Sequence, residues 1–262
     1  MTQSRSWILA AGLGLMFVAP AVGQSNPARL TFDVVSIKLS DPNEEGGWIR
    51  PLPGGNGYTC ENVSLRGMIS AMYRVPPRQI VGGPDWLTNE GYNIEARADR
   101  AYSLDELREM FRNLLADRFN LKFHKDIKRG PVFALVVDKP GLKMKADGRG
   151  QNLQASIAFS GGNQYVGKKV PMEYLCFFLG QAVQRDGRPV IDKTGLTDDF
   201  DFTLSFAPEM PPGAPGENLS PEVQNLPSIF EAVRQQLGLR LDPQKGTIEY
   251  YVVDHIDRPL PN

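Results

Sequence analysis

A serine or cysteine nucleophile needs a base beside it, and this chain offers two histidines, His124 and His255. Neither lies in a catalytic pattern: G-x-S-x-G, S-x-x-K and the zinc helix H-E-x-x-H are all absent. His124 falls where a helical pattern gives way to a strand and His255 within the last strand, so both read as ordinary surface or strand residues. Asp198, Asp199 and Asp201 supply the hard oxygen ligands that calcium takes. They lack the alternating loop and distant bidentate glutamate of an EF-hand, and a solvated turn leading into a strand is the competing reading. The 30 acidic residues include ample carboxylates for glycoside hydrolysis, but the separation that identifies a catalytic pair is not a property of sequence. No catalytic residue, cofactor or metal ligand is assigned on these grounds.

Cys60 and Cys176 are the two thiols. In an oxidising compartment they are a possible disulfide, which requires their Cα atoms within about 7 Å. The alternative is two buried thiols, each acting as a small hydrophobe. Residues 79–87, QIVGGPDWL, pose the same choice between ligand site and architecture. Gly82 and Gly83 suit positive φ, Pro84 fixes a turn, and Trp86 pins the corner to a core. The competing reading is a ligand platform, an aromatic face beside a glycine turn.

The elements that must position these residues begin after a distinctive N-terminus. Arg5, an apolar run from Trp7 to Val18, and small residues at Ala21 and Gly23 form the pattern of a cleavable secretory signal, 1–23, with Gln24 as the first mature residue. The run is shorter than the roughly 20 residues that span a bilayer, and no second long apolar run follows, so an integral membrane protein is not expected. The expected location is therefore periplasmic or secreted. A formal charge of −1 with no basic block argues against nucleic acid as a partner.

The chain also says the same thing twice. LLADRFNLKF (114–123) lines up with AVRQQLGLRL (232–241), and VFALVVDKP (132–140) with YVVDHIDRP (251–259). Upstream, NVSLRGMISAMY (62–73) lines up with KVPMEYLCFFLG (169–180), and LTNEGYNIEA (87–96) with LTDDFDFTL (196–204). Each half reads as helix, short strand, strand, helix, strand, strand. The first helix opens at Ser64 in one half and with Pro171 as N1 in the other; the second opens on the capping boxes Ser103–Glu106 and Ser228–Glu231. The second helix is about two turns longer in the first half. The strands are rich in β-branched and aromatic residues, as in TFDVVSIKL, FALVVD and IEYYVVD. Polar loops punctuate this at 40–58, 141–168 and the proline-rich 208–227. The expected fold is α+β: two related halves, 24–148 and 149–262, each with two helices on a small mixed or antiparallel sheet.

These blocks carry a resemblance. FDVVSIKLSDP, NVSLRGMISAMYRVPPRQIVGGPDWL, LLADRFNLKFHKDIKRGPVFALVVDKPGLKM and RPVIDKTGLTDDFDFTLSFAP together resemble a secreted family of unknown function, multiplied in soil bacteria of the acidobacterial type. The resemblance implies export and a shared fold and supplies no catalytic residues. Related domains occur as extracytoplasmic parts of antibiotic-sensor-type membrane metallopeptidases, which suits a sensing role; this chain lacks their zinc motif. The repeated helix, L-G-L-x-L strand and following hairpin are similar in pattern to the short N-terminal domain of secretins and TonB-dependent receptors. The functional expectation is a non-enzymatic binding, sensing or interaction module of the cell envelope, with an envelope protein or small extracellular ligand as partner. The alternative is a secreted hydrolase of wall or plant polymers using cleft carboxylates.

Overall fold

The computed structural model describes residues 29–44, 46–139, 141–148, 156–183, 187–208 and 220–259. The signal pattern 1–23, the cleavage point near Gly23 and residues 209–219 of the proline-rich stretch lie outside the described residues. In chain order the elements are β1 (Val34–Leu39), β2 (Trp48–Pro51), β3 (Gly57–Ser64), α1 (Leu65–Tyr73), a 3-10 turn (Pro77–Gln79), β4 (Ile80–Gly82), α2 (Trp86–Asn89), β5 (Gly91–Arg97), α3 (Leu104–Arg118) and β6 (Lys122–Val137). Then follow β7 (Lys145–Ala146), β8 (Ser156–Phe159), β9 (Gln164–Val170), α4 (Met172–Ala182), β10 (Val190–Asp192), β11 (Phe200–Ser205), α5 (Pro221–Gln224), α6 (Ile229–Ala232), a π-helical turn (Val233–Leu237) and β12 (Leu239–His255).

Local chemistry sets the helix starts. Ser64 caps α1 by accepting from the Gly67 N–H at 3.2 Å. Both capping boxes form, with Glu106 reaching back to the Ser103 N–H at 2.8 Å and Glu231 to the Ser228 N–H at 3.2 Å. Pro171 is the N-cap of α4, one place outside the helix, rather than its first residue. The length difference is as expected: α3 has 15 residues, whereas α6 and the π-helical turn have 4 and 5.

Among the described residues the fold is mixed α and β, with few helices and three four-stranded sheets. The first sheet runs β1-β5-β3-β2 and the second β7-β11-β9-β8; both are antiparallel throughout. The third runs β10-β6-β12-β4, with β10 and β4 parallel to their neighbours. This third sheet corrects the expectation of one small sheet per half. KDIKRGP (125–131) reads as a break between two strands, but β6 passes straight through it, and β12 pairs with it from Leu239↔Val137 to His255↔Lys122. A neighbouring strand satisfies the backbone of this polar stretch, so its lack of apolar alternation does not end it.

Two apolar cores result. One gathers Leu65, Met68 and Met72 of α1 and Leu107, Phe111 and Leu114 of α3 against Ile37, Tyr58 and Ile94 of the first sheet. The other gathers Met172, Leu175 and Leu179 of α4 with Ile229 and Val233 against Phe200, Phe202 and Leu204 of the second. The long strands serve both cores. Phe123, early in β6, packs against the first core, and Phe133 and Leu135 near its end lie in the second. β12 does the reverse, with Leu239 and Leu241 in the second core and Tyr251 and Val253 in the first. Each fully buried leucine or phenylalanine contributes about 1.5–3 kcal/mol by leaving water, so neither core is complete without both strands.

Candidate functional site

A hollow lies where β1, β3 and β5 end together. Its first element is a bulge in β3: the register with β5 shifts between Cys60 and Val63, and Asn62 there takes the left-handed φ of 47°. The bulge turns the Asn62 N–H onto the side chain of Asn93 on β5, whose Oδ1 accepts it at 2.7 Å and accepts the Ser40 hydroxyl at 3.1 Å. The Asn62 amide nitrogen donates to the carbonyls of Glu44 and Gly46, each at 2.7 Å, and so folds the loop after β1 over the strand ends. Gly91 is required here, because a Cβ on it would stand 2.0 Å from Asn62 Oδ1.

Around this hub is a cavity of about 380 Å³ whose walls include Ser40, Asp41, Glu44, Thr88, Asn89 and Glu90. A shallower hollow of about 310 Å³ continues onto the outer face of the first sheet past Lys38, Thr59, Glu61 and Glu95, and Glu44 borders both. Arg66 of α1 fixes one wall, donating to Thr88 Oγ1 at 2.8 Å and to the carbonyl of Ile80. Arg258 fixes another, holding both carboxylate oxygens of Glu90 at 2.7 and 3.1 Å. Those bonds, helped by a 3.0 Å bond from the Tyr92 hydroxyl, hold the Glu90 carboxyl below its ordinary range. Burial, with the Glu90 bond second, pushes the Tyr92 phenol up to about 12. The groove is thus rich in acceptors: carboxylates, amide oxygens and hydroxyls against one lining lysine.

The QIVGGPDWL stretch precedes Thr88 in the chain, lines neither hollow, and is architectural in its geometry. Gly82 and Gly83 have φ of 75° and 76°, and the Trp86 ring lies 4.9 Å beneath the Arg258 guanidinium that holds Glu90. Gln79, buried, donates to the carbonyl of Glu249 at 3.0 Å and ties this corner to β12.

The other residues singled out from sequence lie elsewhere. His124 Nδ1 is 2.7 Å from Asp254 and His255 Nε2 is 3.1 Å from Asp257, all four on the surface, and neither histidine lines the groove. Cys60 and Cys176 are free and buried, the first in one core and the second in the other. No bridge joins them, and burial pushes both thiols up. Asp201 accepts from Lys168 Nζ at 2.8 Å and from the Lys169 N–H at 2.9 Å rather than facing a shared cation. Among the described residues no group of three or more His, Cys, Asp or Glu is placed to hold a metal ion, and no helix is long and apolar enough to cross a membrane. The Asn62–Asn93 hub was missed from sequence. Its only trace is an asparagine, a residue that tolerates left-handed φ, just before α1.

A family model described as a protein of unknown function (DUF3738) matches residues 66–256. No curated protein and no solved structure matches the chain.

Proposed function

The chain belongs to the DUF3738 family of proteins of unknown function, and from that premise we propose an exported, non-enzymatic binding module of the cell envelope with its ligand site in the groove around Asn62 and Asn93. The observation that carries this reading is the groove's composition. Carboxylates, amides and hydroxyls, with Thr88 held by Arg66 and Glu90 by Arg258, line the sheet end and suit a small polar ligand rich in O–H and N–H donors, such as a wall glycan fragment. Export is supported by the signal pattern of residues 1–23; mass analysis of the mature protein should then give Gln24, within a few residues, as its start.

The test is thermal unfolding with glycans, wall fragments, peptides and metal ions. A groove ligand at a hundred times its dissociation constant adds about 2.7 kcal/mol. Glu44→Gln, which alters a side chain bordering both hollows, should weaken that gain while leaving the unliganded melt unchanged. An unchanged response in Glu44→Gln would place the ligand elsewhere; a flat panel would favour a protein partner on the sheet edges.

A hydrolase remains the second reading because Asp41, Glu44 and Glu90 share one groove. Glycoside cleavage needs one carboxyl raised enough to act as an acid, and Arg258 moves Glu90 the other way, toward a base or nucleophile. Turnover of any stabilising ligand, abolished by Glu90→Gln, would establish this reading in place of the first.

We also read the chain as two related halves, 24–148 and 149–262. Three parallels support it. The first and second sheets have the same strand order when elements are matched in sequence. Both second helices open on a serine–glutamate capping box. Lys169, aligned with Asn62, also has left-handed φ (49°), and its N–H meets Asp201, which is aligned with Asn93.

A further inference from the structure

Arg74 lies one residue past α1, in left-handed conformation with φ 51° and ψ 44°. Its backbone N–H closes the helix on the Ser70 carbonyl, and its side chain, 15% exposed, turns toward α4. There the guanidinium lies 4.7 Å from the centre of the Tyr174 ring, and Arg108 of α3 approaches the same ring at 5.8 Å. A ring face attracts the cation but gives its N–H groups no oxygen or nitrogen acceptor. Among the described residues, Arg74 Nε and Nη2 are the buried side-chain donors with no hydrogen-bond partner. These two nitrogens form one edge of the guanidinium, with parallel N–H groups spaced for the two oxygens of a carboxylate.

The nearest acid does not fill that edge. Asp105 Oδ1 is 3.5 Å from Arg74 Nη2, beyond hydrogen-bond length, and the same oxygen accepts from Arg108 at 2.6 Å. A buried charge-bearing donor pair left unpaired is costly, which makes a missing acceptor the simplest account of this geometry.

We infer that the Nε–Nη2 edge of Arg74, between α1 and α4, is the anchoring end of a binding site for a carboxylate-bearing ligand. Charge favours a monoanion. Arg74 and Arg108 are already faced by Asp105 and Glu173, so formal charges nearly cancel and a dianionic phosphate meets more repulsion than a carboxylate. Access is from the side of Asp105, which is 82% exposed; the incoming carboxylate displaces the loose Asp105 contact and lifts Tyr174 off the guanidinium. The site is independent of the groove at Asn62.

The probe is acetate, titrated into the 15N-labelled protein at constant ionic strength with chloride as balance, while arginine Nε–Hε resonances are followed. The resonance that disappears in Arg74→Lys, or is assigned by triple-resonance methods should that variant not fold, is expected to shift downfield saturably. Lysine keeps the charge and loses the fork, so saturation of the surrounding amide shifts should weaken at least about tenfold in Arg74→Lys. Inorganic phosphate should bind more weakly than acetate. Three results overturn the inference: a shift linear in acetate and equal to that with chloride, which leaves water as the acceptor; tighter binding of phosphate than acetate; or an Asp105→Asn variant that moves the Arg74 resonance as far without acetate, which makes Asp105 the acceptor in solution.

Discussion

Asn93 and Asp201 take the same part in different sheets. Each offers a side-chain oxygen to the N–H of a left-handed residue on the neighbouring strand, at 2.7 Å for Asn62 and 2.9 Å for Lys169. Asn93→Ala strands the Asn62 N–H and the Ser40 hydroxyl and should cost about 1–3 kcal/mol in urea denaturation. Asn93→Asp keeps the acceptor and should cost under about 1 kcal/mol, as should Asp201→Asn. Equal stability of Asn93→Ala and the parent would remove the hub's structural role and weaken the matching of the halves. Residue-scale features were legible when their causes were local. Ser103 with Glu106, and Gly82 with Gly83, announce a cap and a turn through neighbours a few positions away. The Asn62–Asn93 bond spans 31 positions and exists only because β3 bulges, so neither partner signals it alone.

At the scale of elements, α3 and the π-helical turn are each followed by a left-handed residue, Asn120 with φ 48° and Gly238 with φ 69°. The two positions are not interchangeable. A Cβ at Gly238 would stand 2.1 Å from the Gly141 carbonyl oxygen, which adds a backbone clash to the conformational cost. Gly238→Ala should therefore destabilise by about 1–3 kcal/mol, lowering the melting temperature by about 2–4 °C for each kcal/mol. A shift under about 1 °C would mean that the loop at Gly141 yields freely. The starts of α1, α3 and α6 were readable from their capping residues, and β1 from its composition. The continuity of β6 and β12 was not. In the middle of the pair Ile127 is exposed and charged residues predominate, so the periodicity that reports a buried face is missing while the ladder persists.

At the scale of the molecule, an apolar strand pattern does not say which of the two cores receives its side chains. VFALVVDKP reads as an apolar strand closing its own half, yet Phe133 and Leu135 lie in the second core; IEYYVVD sends Tyr251 and Val253 back to the first. The crossing is latched at both ends. Asp138, at the end of β6, accepts from Arg234 at 2.7 Å, and Asp257, just past β12, accepts from Asn120 at 3.0 Å. This arrangement sets a timetable for the newborn chain. Residues 32–121, nearly all of the first core, leave the ribosome well before Tyr251, Val253 and Ile256, which the whole second core's sequence separates from them. The earlier part must wait, incompletely packed, until β12 arrives to close it, so its maturation is paced by the making of the stretch that lies between them.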